Sequence, residues 1–341
     1  MCLYPKLIKN RKYLPNKKNG GLVPPVLDKR VLLVPVGCGK CIECMKKKSN
    51  QWKVRLQEEI KTNKGIMVTL TFSNESLKKL YKETKLNGYN RDNEICKIAV
   101  RRFLERHRKE HKKSIRHFLM TEIGGGRYEH IHIHGLLFNT TKEIIEKHWK
   151  YGFIHFGDYV NEKTINYIVK YISKVDEKHK YYTPIVLASK GIGSNYLNSF
   201  NATQNKILKK DKYKLNDGKE IGLPIYYRNK LFDDDTKEKK WLELLDKNER
   251  YVLGKKINIK YNENEYYSLL EIARNINKEL GFGDDIKNWD LKIYENQRRN
   301  ILYKERLFEK KDNNNKNKNK IEPVDDLKND IKPNFNIDDA F

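Results

Sequence analysis

Acidic residues are scarce, and the shortage is informative. Lys and Arg outnumber Asp and Glu 71 to 45 over 341 residues, a formal charge of +26. So large a surplus argues against a neutral surface and implies a polyanionic partner, most simply nucleic acid. Binding of that kind weakens steeply with salt. Long apolar runs are missing. Residues 31–36 are typical of the longest, far below the ~18 needed to span a membrane. Residues 1–13 carry lysines with no hydrophobic stretch behind them, so no secretory signal is expected. Membrane and secreted classes are set aside. Ala is scarce, Asn abundant, and Lys exceeds Arg 55 to 16. An AT-rich gene would also encode that pattern, but such bias favours Asn as much as Lys and does not by itself leave the charge at +26. No internal repeat is found.

What is present supports a folded chain. Apolar residues are 38 %, below the usual ~45–50 %, yet aromatics reach 11 %, too many for a disordered protein. The length suggests about two domains at roughly 150 residues each. Four regions are expected: a Cys-rich module at 1–64, a core of alternating strands and helices at 65–185, an accessory and mainly helical region at 186–310, and a disordered tail at 311–341. The accessory region has helical patterns at 267–280 and 290–308. From Lys310 a Lys/Asn run cannot bury surface. Residues 331–341 hold two Phe and read as a frayed terminus.

In the core, residues 66–72 read as a buried strand. A basic helix is expected over 94–112, with Ile95, Ile98, Ala99 and Phe103 at helical spacing and Arg101, Arg102, Arg106 and Arg108 on other faces. Arg101 and Arg102, with Arg127, are the expected DNA contacts. Residues 118–122 and 130–138 read as an antiparallel hairpin about Gly124, Gly125 and Gly126. A short strand is expected at 151–156, and Asn161 can cap a helix running to about Lys174.

His130, His132 and His134 alternate with Ile131 and Ile133, so in a strand the three imidazoles share one face. Two neutral imidazoles so spaced can grip one divalent cation. Glu122 ends the preceding strand, and the hairpin brings it near. A carboxylate with two His leaves open coordination positions, as a catalytic metal needs. The bland reading is a set of surface histidines and a charged turn residue.

In the following helix Ile165, Ile168, Val169 and Ile172 cluster on one side, while Tyr167 and Tyr171 fall roughly opposite, beside Lys170 and Lys174. Packing tyrosines normally lie with the aliphatics. Lysine beside a phenol favours the phenolate and can hold a phosphate. The bland reading is an amphipathic helix with two exposed tyrosines.

Cys38, Cys41 and Cys44 are spaced Cys-x2-Cys-x2-Cys, which in an intracellular chain points to metal or redox use. A structural zinc takes four ligands, and Cys2 is the obvious fourth because Cys96 lies in the basic helix. An iron–sulfur cluster or free thiols are the alternatives. Trp52 and the lysines after Cys44 suggest that this module packs beside the core and meets DNA.

A strand, an alternating His strand and a helix with paired Tyr together resemble the HUH endonuclease superfamily. More closely they resemble the replication initiation proteins of small single-stranded DNA phages, the microviruses and especially the gokushovirus group. Val68-Thr69-Leu70-Thr71-Phe72 is similar to the family's first motif. His132-Ile133-His134, followed by Gly135-Leu136-Leu137-Phe138, is similar to the second, and Tyr167 and Tyr171 with Lys170 and Lys174 to the third. The resemblance covers roughly residues 1–232, including the Cys segment with Trp52 and Arg55, residues 149–153, and Gly191-Ile192-Gly193. One departure is local. The family usually has two histidines after Arg-Pro, whereas here Arg127 precedes Tyr128, Glu129 and the extra His130. The downstream register favours His132 and His134 as the ligand pair, with His130 the alternate.

The resemblance implies an α+β fold, an HUH-type core with a central antiparallel sheet flanked by helices. It implies Mn²⁺ or Mg²⁺ at His132, His134 and Glu122, beside the possible structural Zn²⁺. It implies a rolling-circle initiator: one Tyr attacks single-stranded origin DNA and keeps the 5′-phosphate, and the freed 3′-hydroxyl primes the host replication machinery in the bacterial cytoplasm. A second Tyr would take the later cut before the strand is rejoined. Two rivals stand beside it, an HUH transposase or relaxase and a zinc-containing nucleic-acid binder without catalysis.

Overall fold

Glycines and short polar segments separate apolar runs too short for long helices, so much of the core chain pairs as strands. The computed structural model describes residues 2–125, 129–157, 159–179 and 182–283. Arg127, the helical pattern expected at 290–308, the run from residue 310 and the two Phe of 331–341 lie outside the described residues.

Two strands, β1 (Lys6–Lys9) and β2 (Leu33–Val36), pair antiparallel ahead of a long helix, α1 (Ile42–Ile60). There follow β3 (Gly65–Leu70), α2 (Asn74–Lys82), α3 (Gly88–His111), β4 (Arg116–Ile123) and β5 (Ile131–Phe138). Next come α4 (Lys142–His148), β6 (Ile154–Phe156), α5 (Glu162–Ser173) and β7 (Val186–Ala188). The remainder is mainly helical: α6 (Phe200–Ile207), the hairpin β8 (Lys212–Lys214) and β9 (Glu220–Gly222), α7 (Ile225–Leu231) and α8 (Asp234–Asp246). A second hairpin, β10 (Glu249–Val252) and β11 (Lys255–Asn258), leads into α9 (Glu263–Glu279).

The central sheet has the order β6-β3-β5-β4-β7, and every pairing in it is antiparallel. The His strand β5 is therefore central, between β3 and β4. Side chains alternate along it. Ile131, Ile133 and Leu137 join a core with Ile95, Ala99 and Phe103 of α3 and Ile145 of α4. On the other face Leu136 and Phe138, with Phe118 and Met120 of β4, pack against Ile165, Ile168, Val169 and Ile172 of α5 and Leu56 of α1. The aliphatic stripe expected of the Tyr helix is thus its seat on the sheet. Gly135 is required here, because a Cβ would lie 2.1 Å from the Phe118 carbonyl oxygen.

Several elements differ from expectation for local reasons. α3 starts at Gly88, ahead of residue 94, because Tyr89 and Asp92 are buried and Asp92 accepts the Tyr81 hydroxyl at 2.5 Å. β6 is shorter than 151–156, although the Tyr151 and Phe153 carbonyls still accept the amides of Ser73 and Thr71 at 2.7 and 2.9 Å. α2 and α4 are additional helices, each opened by a side-chain cap, Ser73 onto Ser76 N–H and Thr141 onto Ile144 N–H. β7 begins one residue past 185 and forms the edge beside β4.

Candidate active site and cysteine cluster

The antiparallel register places the acidic and imidazole groups together. Glu122 pairs with His132 across β4–β5, and Thr69 pairs with His134 across β3–β5. These residues lie on the face that carries α5. Glu122 Oε2 is 2.8 Å from His134 Nε2. That buried nitrogen makes no hydrogen bond, so the contact is close but off the hydrogen-bonding line. Two donors on one ion with ~2.0–2.2 Å bonds at right angles stand about 3 Å apart. The other ring nitrogen, Nδ1, is 2.9 Å from Thr69 Oγ1. A proton shared there fixes the ring and leaves Nε2 as the lone-pair donor.

α5 supplies the tyrosines. Asn161 caps it as expected, accepting Thr164 N–H, and a capping box closes the turn. The Tyr171 ring stacks on the His134 imidazole, centroids 5.3 Å apart and planes within 6°. Tyr171 donates its hydroxyl proton to the Tyr167 oxygen in a short contact, and Tyr167 is about half exposed. Lys174 Nζ lies 3.4 Å from Glu122 Oε1 and 5.2 Å from the Tyr171 ring centre. Glu122, His134, Tyr167, Tyr171 and Lys174 thus form one constellation. Lys170 is exposed on α5, one turn before Lys174.

His132 is less closely engaged. Its ring meets that of His134 edge-on at 5.7 Å and lies over Gly124, where a Cβ would come within 2.3 Å of Cε1. Among the described residues it does not gather with Glu122 and His134 into a three-donor group within 4.8 Å. His130 precedes β5, its carbonyl accepting Gly124 N–H at 2.9 Å in the hairpin. Arg101 and Arg102 are not brought to the tyrosines. They sit on α3, across the sheet, where Arg102 pairs with Glu83 at 2.7 Å and Arg101 is 3.9 Å from Glu105.

Protonation follows from this packing. Burial raises the Glu122 carboxyl, but His134 and Lys174 outweigh it, and the group titrates below its ordinary value. Burial, then the nearby His134, lowers His132 and keeps it neutral. Burial, the bond to Tyr167 and the charge of Glu122 all raise Tyr171, so its phenol holds its proton firmly. An open cleft of about 340 Å³ borders Glu122, Tyr171 and Lys174. A neighbouring groove shares Lys174, Tyr182 and Pro184 and reaches Lys40 and Phe282.

The four cysteines of the N-terminal segment come together. Donor atoms of Cys2, Cys38, Cys41 and Cys44 all lie within 4.8 Å of one another. Cys38–Cys44 and Cys41–Cys2 are each 3.9 Å between sulfurs. A tetrahedron with ~2.3 Å zinc–sulfur bonds has edges of about 3.8 Å. The Cys38 and Tyr4 amides donate to Cys2 Sγ at 3.2 and 3.3 Å, and the Cys41 amide donates to Cys38 Sγ at 3.3 Å. Such bonds favour thiolates. The Cys41 thiol is lowered to about 5, chiefly by its bond with Cys44. Cys96 is fully buried in the α3 core. The cluster could bind a metal whose identity the donors alone do not fix. α9 covers it: Leu270 and Ala273 pack on Leu3, Cys41 and Ile42, and Asn277 Oδ1 accepts Ile42 N–H at 2.8 Å.

Thr69 and α9 were not singled out by sequence as parts of these sites. The signal for Thr69 is its position one strand from His134, legible only once the register is known.

Residues 65–176 match the family model for replication-associated protein ORF2. That span runs from β3 through α5 and holds every member of the His/Tyr constellation. The chain is also 28 % identical over 228 residues, 58 % of this chain and 67 % of the relative, to replication-associated protein ORF2 of Spiroplasma virus 4. No solved structure matches the chain.

Proposed function

We propose that this protein is a rolling-circle replication initiator of the HUH type that nicks and rejoins single-stranded origin DNA through tyrosine. The two matches support a viral replication initiator. The observation that carries the finer reading is the stack of Tyr171 on His134, with Glu122 beneath and Tyr167 in contact above.

The donors present fit a divalent cation. His134 Nε2 is buried without a hydrogen bond and faces Glu122, and His132 is the neutral third ligand. A Mn²⁺ or Mg²⁺ ion held there would polarise the scissile phosphate as a Lewis acid. The phenol then loses its proton and its oxygen attacks phosphorus. The P–O3′ bond breaks, and the 3′-oxygen takes up a proton as the 5′-phosphate stays on tyrosine. Lys174, beside Glu122 and the Tyr171 ring, offsets phosphate charge. Because Tyr171 holds its proton firmly in the absence of DNA, substrate must be in place before it becomes a nucleophile. The second hydroxyl, on the adjacent helical turn, can take the later cut while the first link persists. One nucleophile would suffice for a simple single-strand transposase, so the touching pair favours an initiator.

The charge of +26 and the groove running from Lys174 to Lys40 suit a single strand. The cysteine cluster suits a structural zinc that fixes the start of α1 beside that groove. The test is a nicking assay on single-stranded origin DNA with Mn²⁺, comparing the wild type with Tyr167→Phe/Tyr171→Phe. Expected is a covalent adduct from the wild type and none from the double variant, with DNA binding retained in both. Cleavage by the double variant at the wild-type rate would overturn the reading.

A further inference from the structure

On the opposite face of the sheet, the last turns of α3 and α4 meet. Glu110 and His111 close α3, and His148 closes α4. One donor atom of each lies within 4.8 Å of the other two. Glu110 Oε1 is 3.6 Å from His111 Nε2, and Glu110 Oε2 is 3.5 Å from His148 Nε2. Both distances are too long for hydrogen bonds. They are close to the edge of a tetrahedron of donors around one ion at ~2.0–2.1 Å, about 3.4 Å.

A second observation points the same way. His148 is buried, and its Nε2 has no hydrogen-bond partner, an arrangement that is costly unless something occupies the lone pair. The surroundings favour a cation. Two helix C-termini converge here, each with partial negative charge. The rings are also held in place. His107 stacks on His111 at 4.4 Å, and its Nδ1 is fixed 2.7 Å from the Lys113 carbonyl. Arg106 Nε donates to the His148 carbonyl at 2.9 Å. Against these stands one competing cation, Lys147, whose ammonium contacts Glu110 Oε1.

We infer that Glu110, His111 and His148 bind a zinc-type divalent cation that clips the end of α3 to the end of α4. Two imidazoles and a carboxylate are the donor set such ions take, with a fourth position left for water. This ion is separate from any ion held at Glu122 and His134, since α3 and α5 pack on opposite faces of the sheet.

The test uses the full chain, stripped with chelator under reducing conditions and titrated with Zn²⁺. Glu110→Gln and His111→Ala change exposed residues at a helix end, so both variants should fold. Each is expected to hold about one zinc equivalent fewer than the wild type and to lose the zinc-dependent rise in thermal midpoint. Lys147→Ala is expected to tighten binding by removing the competing ammonium. With Co²⁺, the thiolate charge-transfer absorption of the cysteine cluster should persist in all three variants, which serves as the control for folding. Equal metal content in wild type and His111→Ala, or weaker binding in Lys147→Ala, overturns the inference.

Discussion

Thr69 illustrates how much of the chemistry rests on single atoms. Its hydroxyl is 2.9 Å from His134 Nδ1, and that contact decides which ring nitrogen faces Glu122. Thr69→Val keeps the shape and removes the oxygen. It is expected to weaken Mn²⁺ binding at the His/Glu site about 10–100-fold, the usual effect of losing an outer-shell partner. Titration followed by Mn²⁺ electron paramagnetic resonance would measure it, and unchanged affinity would mean that another group orients the ring. The raised Tyr171 and the lowered Glu122 follow from the same packing. A phenol stacked on His134 and close to a carboxylate gains nothing from ionising until phosphate and cation arrive.

At the scale of elements, α5 places both tyrosines by seating one face on the sheet. Ile168 is fully buried against Phe118, Met120 and Leu136. Ile168→Ala should cost about 2–5 kcal/mol by lost burial and cavity formation. Adduct formation should also slow, although no reacting group has changed. Chemical denaturation and adduct yield, measured on one preparation, check both effects. The same periodicities explain what could be read from the sequence. β5 was legible because His and Ile alternate at period two, and α5 because its aliphatics recur at helical spacing while its tyrosines do not. α4 is a seven-residue helix with Ile144 and Ile145 as its apolar residues, too little for a periodic signal. The early start of α3 was hidden by Asn90, Arg91, Asp92 and Asn93, polar residues of which Arg91 and Asp92 are buried in the fold. The Cys-x2-Cys-x2-Cys spacing marked three sulfurs, but that α9 would cover them from about 230 residues away depends on tertiary packing alone.

For the molecule as a whole, several imidazoles titrate below their ordinary value, with burial the main cause: His107, His117, His132 and His148. The folded state therefore binds fewer protons than the unfolded chain once pH falls below the ordinary histidine value of ~6.5. Stability must rise with pH across that window. The lowered thiol of Cys41 acts with the same sign, and the lowered carboxylates titrate below the window. Urea unfolding at pH 7.5 and 5.5 is expected to give the higher midpoint at 7.5, and an equal or higher midpoint at 5.5 would contradict the assignment. Among the described residues no helix is long and apolar enough to cross a membrane. The positive charge instead serves a polyanion, so DNA affinity should fall steeply with added salt.

The most direct measurement is the chemical identity of the DNA–protein link. Single-stranded origin DNA is incubated with the full chain and Mn²⁺, the adduct is digested with protease and nuclease, and the modified peptide is sequenced by mass spectrometry. The expected peptide spans α5, with a 5′-phosphoryl nucleotide on Tyr167 or Tyr171. In Tyr167→Phe the modification should appear on Tyr171, and in Tyr171→Phe on Tyr167. A link to a residue outside α5, or strand cleavage that leaves no phosphotyrosine, would contradict the role assigned to the two hydroxyls.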